Sequence, residues 1–167
     1  MRFKKHHRGR HDLFPKFLFT RLALRQGHAF IAQSDPADPN RARGRPIYVQ
    51  GTVANAATDS NTSMYHLCDL PSDCILLEHT AFDVQNWGFA QVVIGTRDDT
   101  DALLDVAKSA ANTQRPITFG DANHAKELWE VLGLAANPGG TIGLYAHAEA
   151  DAAGAGSMPF QVVYSFR

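Results

Sequence analysis

Short apolar runs recur along the chain after residue 46, some with alternating faces and others rich in β-branched and aromatic residues, and both patterns are typical of β-strands. Within residues 64–69, for example, every second position faces the same side of an extended chain. The runs predict six or seven strands. They cover residues 47–54, 64–69, 74–84, 88–95, 141–148 and 159–166, with a short extended piece at 115–119. Because turns join most of them, we predict a mainly β, antiparallel sandwich with helical insertions.

Two short helices are predicted between the strands. The first covers residues 102–110, with one of the aspartates at 98–101 as its N-cap. The second begins after Asp121 or Asn123. Its apolar face consists of Leu128, Val131, Leu132 and Ala135, which recur at the helical spacing i, i+3, i+4 and i+7, and Trp129 widens this face. We therefore expect Trp129 in the core.

Glycine and proline set the end of the second helix. Gly133 is expected at or near that end, because glycine costs about 1 kcal/mol relative to alanine inside a helix. Residues 137–140, Asn-Pro-Gly-Gly, then turn the chain into the strand at 141–148.

Charge divides the chain into two parts. The formal net charge is only −1, but residues 1–46 hold 11 Lys and Arg against three Asp, whereas the remainder carries a net charge of −9. We predict a basic extended arm and linker at 1–46 and a β-sandwich body at 47–167. Residues 1–12 are expected to be disordered alone, 34–46 form a proline-rich linker, and the apolar segment 13–33 fits neither a helix nor a strand fully.

The arm combines cations with phenylalanines, so it suits an acidic partner with apolar pockets. The candidate partner-binding residues are Arg2, Lys4, Lys5, Arg8, Arg10, Phe14, Phe17, Phe19, Arg21, Arg25, Phe30, Arg41, Arg43 and Arg45.

The sequence contains no recognisable catalytic or cofactor motif. Phosphate-binding glycine patterns and nucleophile elbows are absent, and the histidines lack metal-ligand spacing. The aspartates at 98–105 lack the ligand order of a calcium loop. We therefore expect no enzyme activity, no metal and no cofactor. Cys68 and Cys74 are expected to be small, half-buried thiols, with a bridge between them as the alternative.

Membrane insertion and secretion are also not expected. The chain has no apolar run of 18 or more residues, so no membrane span is predicted. Its basic start is similar to the beginning of a signal peptide, but Pro15, Lys16, Arg21 and Arg25 interrupt the apolar segment that follows.

Two blocks of the body resemble small structural proteins of tailed bacteriophages that are encoded beside the major capsid protein. They are Met-Tyr-His-Leu-Cys-Asp-Leu-Pro-Ser-Asp-Cys-Ile at 64–75, and Leu-Trp-Glu-Val-Leu-Gly-Leu at 128–134 with Asn137-Pro138 after it. In that family a Leu-Pro-Ser-Asp-Ala-like turn precedes a strand, and a Leu-Trp-Glu-Leu-Leu-Gly-like helix precedes an Asp-Pro turn. Cys74 and Asn137 depart mildly from this pattern. The resemblance covers about residues 48–167.

The resemblance implies a jelly-roll-like sandwich and a capsid decoration (cement) protein without a catalytic site. The implied partner is the major capsid protein, with self-association as a dimer or trimer on the shell. The implied location is the virion, assembled in the host cytoplasm.

Two other functions stay open. One is a nucleic-acid-binding coat protein, whose basic arm pairs with phosphates of the packaged genome and whose phenylalanines stack on bases. Against it, the acidic body would repel phosphates. The other is a head–tail or tail component.

Overall fold

The computed structural model of the protein describes residues 44–166. Within them the chain forms nine β-strands and one short α-helix. The strands are β1 (Ile47–Asn55), β2 (Met64–Pro71), β3 (Ile75–Leu76), β4 (Ala81–Asp83), β5 (Gln91–Gly95), β6 (Leu104–Ala107), β7 (Thr113–Gln114), β8 (Thr141–His147) and β9 (Gly156–Ser165). The helix is α1 (Leu128–Val131), and a 3-10 turn spans Lys108–Ala110.

Eight of the strands form nested antiparallel pairs. β1 pairs with β9, β2 with β8, β4 with β7, and β5 with β6. Further pairing of β4 with β9 and of β5 with β8 joins these pairs into two sheets. Sheet A has the order β1-β9-β4-β7, with β3 also on β9, and sheet B has the order β2-β8-β5-β6. The prediction of a mainly β protein with two antiparallel sheets is confirmed. Of the basic arm predicted at 1–46, residues 1–43 lie outside the described residues.

Strand alternation directs one set of side chains from each sheet into a shared core. In β8, Ile142, Leu144 and Ala146 are buried, whereas Tyr145 and His147 lie half-buried on the other face. Burying one large aliphatic side chain stabilises the fold by about 1.5–3 kcal/mol, so these inward faces hold the two sheets together. Core residues with almost no exposed surface include Leu70, Phe82, Ile94, Leu144, Val162 and Tyr164.

Three aromatic rings form a cluster within this core. The ring of Trp87, in the connection from β4 to β5, lies 5.3 Å from the ring of Tyr65 in β2 and 5.2 Å from that of Phe89. The Tyr65 and Trp87 rings meet edge to face, an arrangement that aromatic quadrupoles favour. Trp87 is only 1% exposed. The cluster therefore fastens the β4–β5 connection to sheet B.

The predicted helix at 102–110 is wrong. Residues 104–107 form β6, which pairs with β5 along its whole length, and only the 3-10 turn follows it. The aspartates at 98–101 lie in the connection between these strands, where the Thr96 amide donates to the Asp99 carbonyl and the Asp99 amide to the Thr96 hydroxyl. Leu104 and Val106 alternate with Asp105 and Ala107, so tertiary pairing with β5 prevails over local helix propensity.

The strand predicted at 74–84 is divided into β3 and β4. Between them the Thr80 hydroxyl donates to the Val163 carbonyl and accepts from the Val163 amide, both at 3.0 Å. This side chain therefore satisfies the Val163 backbone in the gap between β3 and β4, on the side of β9 that faces away from β1. Two other strands also differ from the prediction. β5 begins at Gln91 rather than at residue 88. The short extended piece predicted at 115–119 lies earlier in the chain, at Thr113–Gln114, where it forms β7.

The second helix exists but is shorter than predicted. α1 has four residues, and its N-cap is Glu127 rather than Asp121 or Asn123. The Glu127 amide donates to the Glu130 carboxylate in a capping box. The Asp121 carboxylate instead accepts the amide and hydroxyl of Thr118, and these bonds lower the pKa of Asp121.

The predicted end and inner face of the helix are mostly confirmed. Gly133, directly after the C-cap residue Leu132, has a φ of 70°, so it occupies the left-handed position at which helices commonly end. Leu128, Val131 and Leu132 are buried as predicted, but Ala135 is exposed because the helix has already ended.

Candidate functional site

Titratable groups in the described part of the chain do not converge on a metal-type site. Residues 44–166 contain no cluster of three or more His, Cys, Asp or Glu side chains that could hold a metal ion. Asp99 and Asp101 share a hydrogen bond at the surface, which raises the pKa of Asp99.

Within residues 44–166, no helix has the length and apolar composition to cross a bilayer.

Four polar side chains contact one another on the outer face of sheet B. β2 and β8 place His66 opposite Tyr145, with ring centroids 5.0 Å apart. The His66 Nε2 atom lies 3.0 Å from the Asp69 carboxylate, and the Arg97 guanidinium lies 5.3 Å from the centre of the Tyr145 ring. Within this group no nucleophile lies beside a base, and the four side chains form a polar surface.

Both cysteines are free thiols, as the sequence favoured, but they are buried rather than half-buried. Burial raises the pKa of Cys68 to about 12, and burial likewise raises the pKa of Cys74. A thiol must ionise to act as a nucleophile or a metal ligand, so these residues serve as core packing.

An open cleft of about 300 Å³ lies beside the 3-10 turn, lined by Gln85, Ala90, Lys108, Ser109 and Asn112. Its one charged group is the Lys108 ammonium, which donates to the Trp87 carbonyl. The cleft therefore lacks the pair of groups that acid–base or nucleophilic catalysis needs.

The two blocks that resemble phage proteins meet in one corner of the fold. The Leu128 amide donates to the Cys74 carbonyl at 2.7 Å, and the Trp129 amide donates to the Ser72 carbonyl at 3.1 Å. Ser72 then donates its amide to the Gly140 carbonyl at 3.0 Å. The turn at 71–74, the start of α1 and the turn at 137–140 thus form one hydrogen-bonded unit, which we call the motif corner.

The geometry of the motif corner explains its departures from the family pattern. The Asn137 Oδ1 atom accepts from the Ser72 hydroxyl at 2.6 Å and from the Gly139 amide at 2.8 Å. A carboxylate oxygen of aspartate would accept the same bonds, so Asn and Asp can play one role here. Cys74 has no exposed surface, so the position disfavours a charged side chain and suits cysteine or alanine equally.

Of the predicted partner-binding residues, only Arg45 belongs to the described part of the chain. It is exposed, and the exposed residues Gly44 and Pro46 flank it directly before β1 begins. Arg2, Lys4, Lys5, Arg8, Arg10, Phe14, Phe17, Phe19, Arg21, Arg25, Phe30, Arg41 and Arg43 lie outside the described residues, so their role stays a prediction.

Exposed apolar side chains were missed by the sequence reasoning. Tyr48 is 56% exposed, Phe119 is 83% exposed, and Leu134 is partly exposed. For Tyr48 a signal was present: it alternates with Ile47 and Val49, so the period of two places it on the opposite face of β1.

Comparisons with known proteins give one distant likeness. No protein-family model matches the chain, and no curated protein matches it. The capsid asymmetric unit of cyanophage Pam1, a solved structure, aligns with 87% of this chain and 99% of that chain, at 18% sequence identity and a TM-score of 0.46. A likeness this distant carries no argument for the function of this chain.

Proposed function

We propose that this protein is a structural virion component, a decoration (cement) protein that binds the major capsid protein of a phage head and stabilises the shell. The observation that carries the proposal is the motif corner. Its blocks at 64–75 and 128–138 resemble phage structural proteins separately, yet they fold against each other as one unit. Contact between the two blocks is what a shared structural motif would require.

The proposal includes a jelly-roll assignment for the body. Nested pairing of β1 with β9, β2 with β8, β4 with β7 and β5 with β6 supports it, since a jelly roll is one long antiparallel ribbon rolled into two sheets. Viral capsid domains use this fold, but so do lectins and cupins, so the fold alone does not select the function.

A non-enzymatic role is part of the same proposal. The Lys108 ammonium at the open cleft already donates to a backbone carbonyl, and both thiols are buried. The polar side chains on sheet B lie on its outer face and contact one another. These features suit a protein that makes contacts and performs no turnover.

The arm supplies the proposed anchor. It carries a net charge of +8 next to a body of −9, and it joins the body at the exposed residues 44–46. An extended residue spans at most about 3.3–3.6 Å, so an arm of this length reaches several tens of ångströms. One copy can then contact two or more capsid subunits, with cations pairing acidic groups and phenylalanines filling pockets.

Deletion of residues 1–46 tests the anchor. Full-length and truncated protein would be added to phage heads stripped of the protein, and binding measured by co-sedimentation. We expect the truncated body to stay folded by circular dichroism and to lose binding. Full-length protein should stay bound at moderate salt, because salt screens charge pairs but not apolar contacts.

A matched variant separates the two kinds of arm contact. Replacing Phe14, Phe17 and Phe19 with serine keeps the charge of +8, so its loss of binding would assign the anchor to apolar pockets. Equal binding by truncated and full-length protein would show that the arm is not the anchor.

The nucleic-acid alternative rests on the charge of the arm and predicts different behaviour. Binding of the full-length protein to DNA or RNA would then weaken steeply with salt, as counterion release requires. Electron microscopy of particles separates the remaining candidates: near-stoichiometric copies over the shell support decoration, and a few copies at one vertex support a head–tail or tail component.

A further inference from the structure

The free edges of the two sheets are unequally protected. An edge strand presents unpaired N–H and C=O groups, and proteins usually block such edges with short strands, bulges, charges or proline. β2 has a bulge between His66 and Cys68, carries Asp69 and ends in Pro71. β6 has only four residues and includes Asp105, and β7 has only two residues. Three of the four edges are therefore protected.

β1 lacks all of these protections. It has nine residues, Ile-Tyr-Val-Gln-Gly-Thr-Val-Ala-Asn, without charge and without proline. Its pairing with β9 is regular at every position, so no bulge twists the edge away. Among residues 44–166, no strand pairs with its other side, and no backbone hydrogen bond from this range occupies it.

The side chains of β1 are also incompletely covered. Ile47 and Val49 point inward and pack against the core, yet they are only half-buried. On the outer face Tyr48 is 56% exposed. A strand added beside β1 would continue sheet A and cover apolar surface on both faces.

We propose that β1 pairs with β1 of a second copy of this chain, antiparallel, about a two-fold axis at Gly51. In this register Gln50 lies opposite Thr52 of the second copy, Val49 opposite its Val53, and Tyr48 opposite its Ala54. Each large side chain meets a smaller or β-branched one, and Gly51 meets its own copy. The two-fold arrangement is the commonest symmetry of homo-oligomers.

The uncharged sequence of β1 allows a second copy of the chain to pair with this edge. Identical charges on a strand would oppose each other across the two-fold axis, but β1 has none, although the body as a whole carries −9. The linker of the same chain is poorly suited to fold back onto β1, because Pro36 and Pro39 lack amide donors. A strand of another protein is the competing occupant, and the experiments below distinguish it.

Analytical ultracentrifugation of the full-length protein, without phage particles, tests the pairing independently of the proposed virion role. We expect a dimer, and we expect Thr52→Lys to convert it to a monomer at the same concentration, because two lysines would then lie close to the axis. Thr113→Lys is the matched control, since Thr113 is exposed on the edge strand β7, and it should leave the dimer intact. A monomeric full-length protein, or an oligomer unaffected by Thr52→Lys, would overturn the proposal.

Cysteine cross-linking tests the register. Directly opposed residues have Cβ atoms about 4.5–5.5 Å apart, so a mixture of Gln50→Cys and Thr52→Cys chains should form a disulfide-linked dimer under mild oxidation. Ala54→Cys alone should not, because the two copies of residue 54 would lie six residues apart along the strands, about 20 Å. Cross-linking of Ala54→Cys would overturn the register and would indicate self-pairing in a different one. No cross-linking in the mixture would also overturn the register, and it would favour a foreign strand on β1.

Discussion

The two tryptophans of this protein lie in regions that are stabilised in different ways. Trp87 belongs to a connection between strands, yet its ring is enclosed by Tyr65, Phe89 and the surrounding core. Trp129 lies on a helix with a clear apolar face, yet it is only half-buried in the motif corner. The residue with the weaker pattern in the sequence therefore has the deeper position in the fold.

Hydrogen bonds make up a larger share of the contacts in the motif corner than in the aromatic cluster. The Trp129 indole N–H donates to the Glu127 carboxylate at 2.7 Å, and the Trp129 amide donates to the Ser72 carbonyl. A typical hydrogen bond adds only about 0.5–1.5 kcal/mol net, whereas burial of an aromatic ring adds more. Burial of Trp87 therefore contributes more to stability than any single hydrogen bond of the corner, whose bonds fix the relative positions of its three segments.

Trp87→Ala should have the largest effect. Removing a fully buried aromatic side chain costs about 3–5 kcal/mol of the free energy of unfolding, because transfer and cavity terms add. Urea unfolding followed by circular dichroism measures it. A loss below that of Trp129→Ala would reverse the comparison.

Trp129→Ala should cost less, about 1–3 kcal/mol, because part of the ring already faces water and the loss scales with the area removed from it. The sequence alone favoured a fully buried ring and a larger loss. Trp129→Phe is the control that keeps most of the packing and removes the bond to Glu127. If Phe and Ala were equally destabilising, the bond to Glu127 would matter more than the packing.

Ser72→Ala should have the smallest effect, about 0.5–1.5 kcal/mol, the usual net value of one hydrogen bond. The loss stays small because the Asn137 Oδ1 atom keeps the Gly139 amide as a donor. Ser60→Ala, which removes an exposed hydroxyl, is the control and should be nearly neutral. A loss as large as that of Trp129→Ala would make Ser72 the main support of the corner.

Strands with clear alternation were predictable from the sequence, and local patterns misled elsewhere. The bounds of β1, β2 and β8 agree closely with prediction, and β9 begins three residues early. The helix predicted at 102–110 was wrong, because the aspartates that resemble N-caps lie in the connection between two paired strands. For the candidate site, the sequence identified both blocks of the motif corner, but their contact depends on bonds between residues more than 50 positions apart.

Four features follow from the order of neighbouring residues alone. They are the period of the strands, the turn at 137–140, the end of α1 at Gly133, and the division of charge between arm and body. Each depends on neighbouring residues, so local sterics and composition suffice. Other features are visible only in the folded chain. They are the assignment of strands to sheets, the depth at which Trp87 and Trp129 are buried, and the position of uncharged β1 at an edge of sheet A. Those properties arise from pairing and packing between distant segments, whose free energies no local pattern contains.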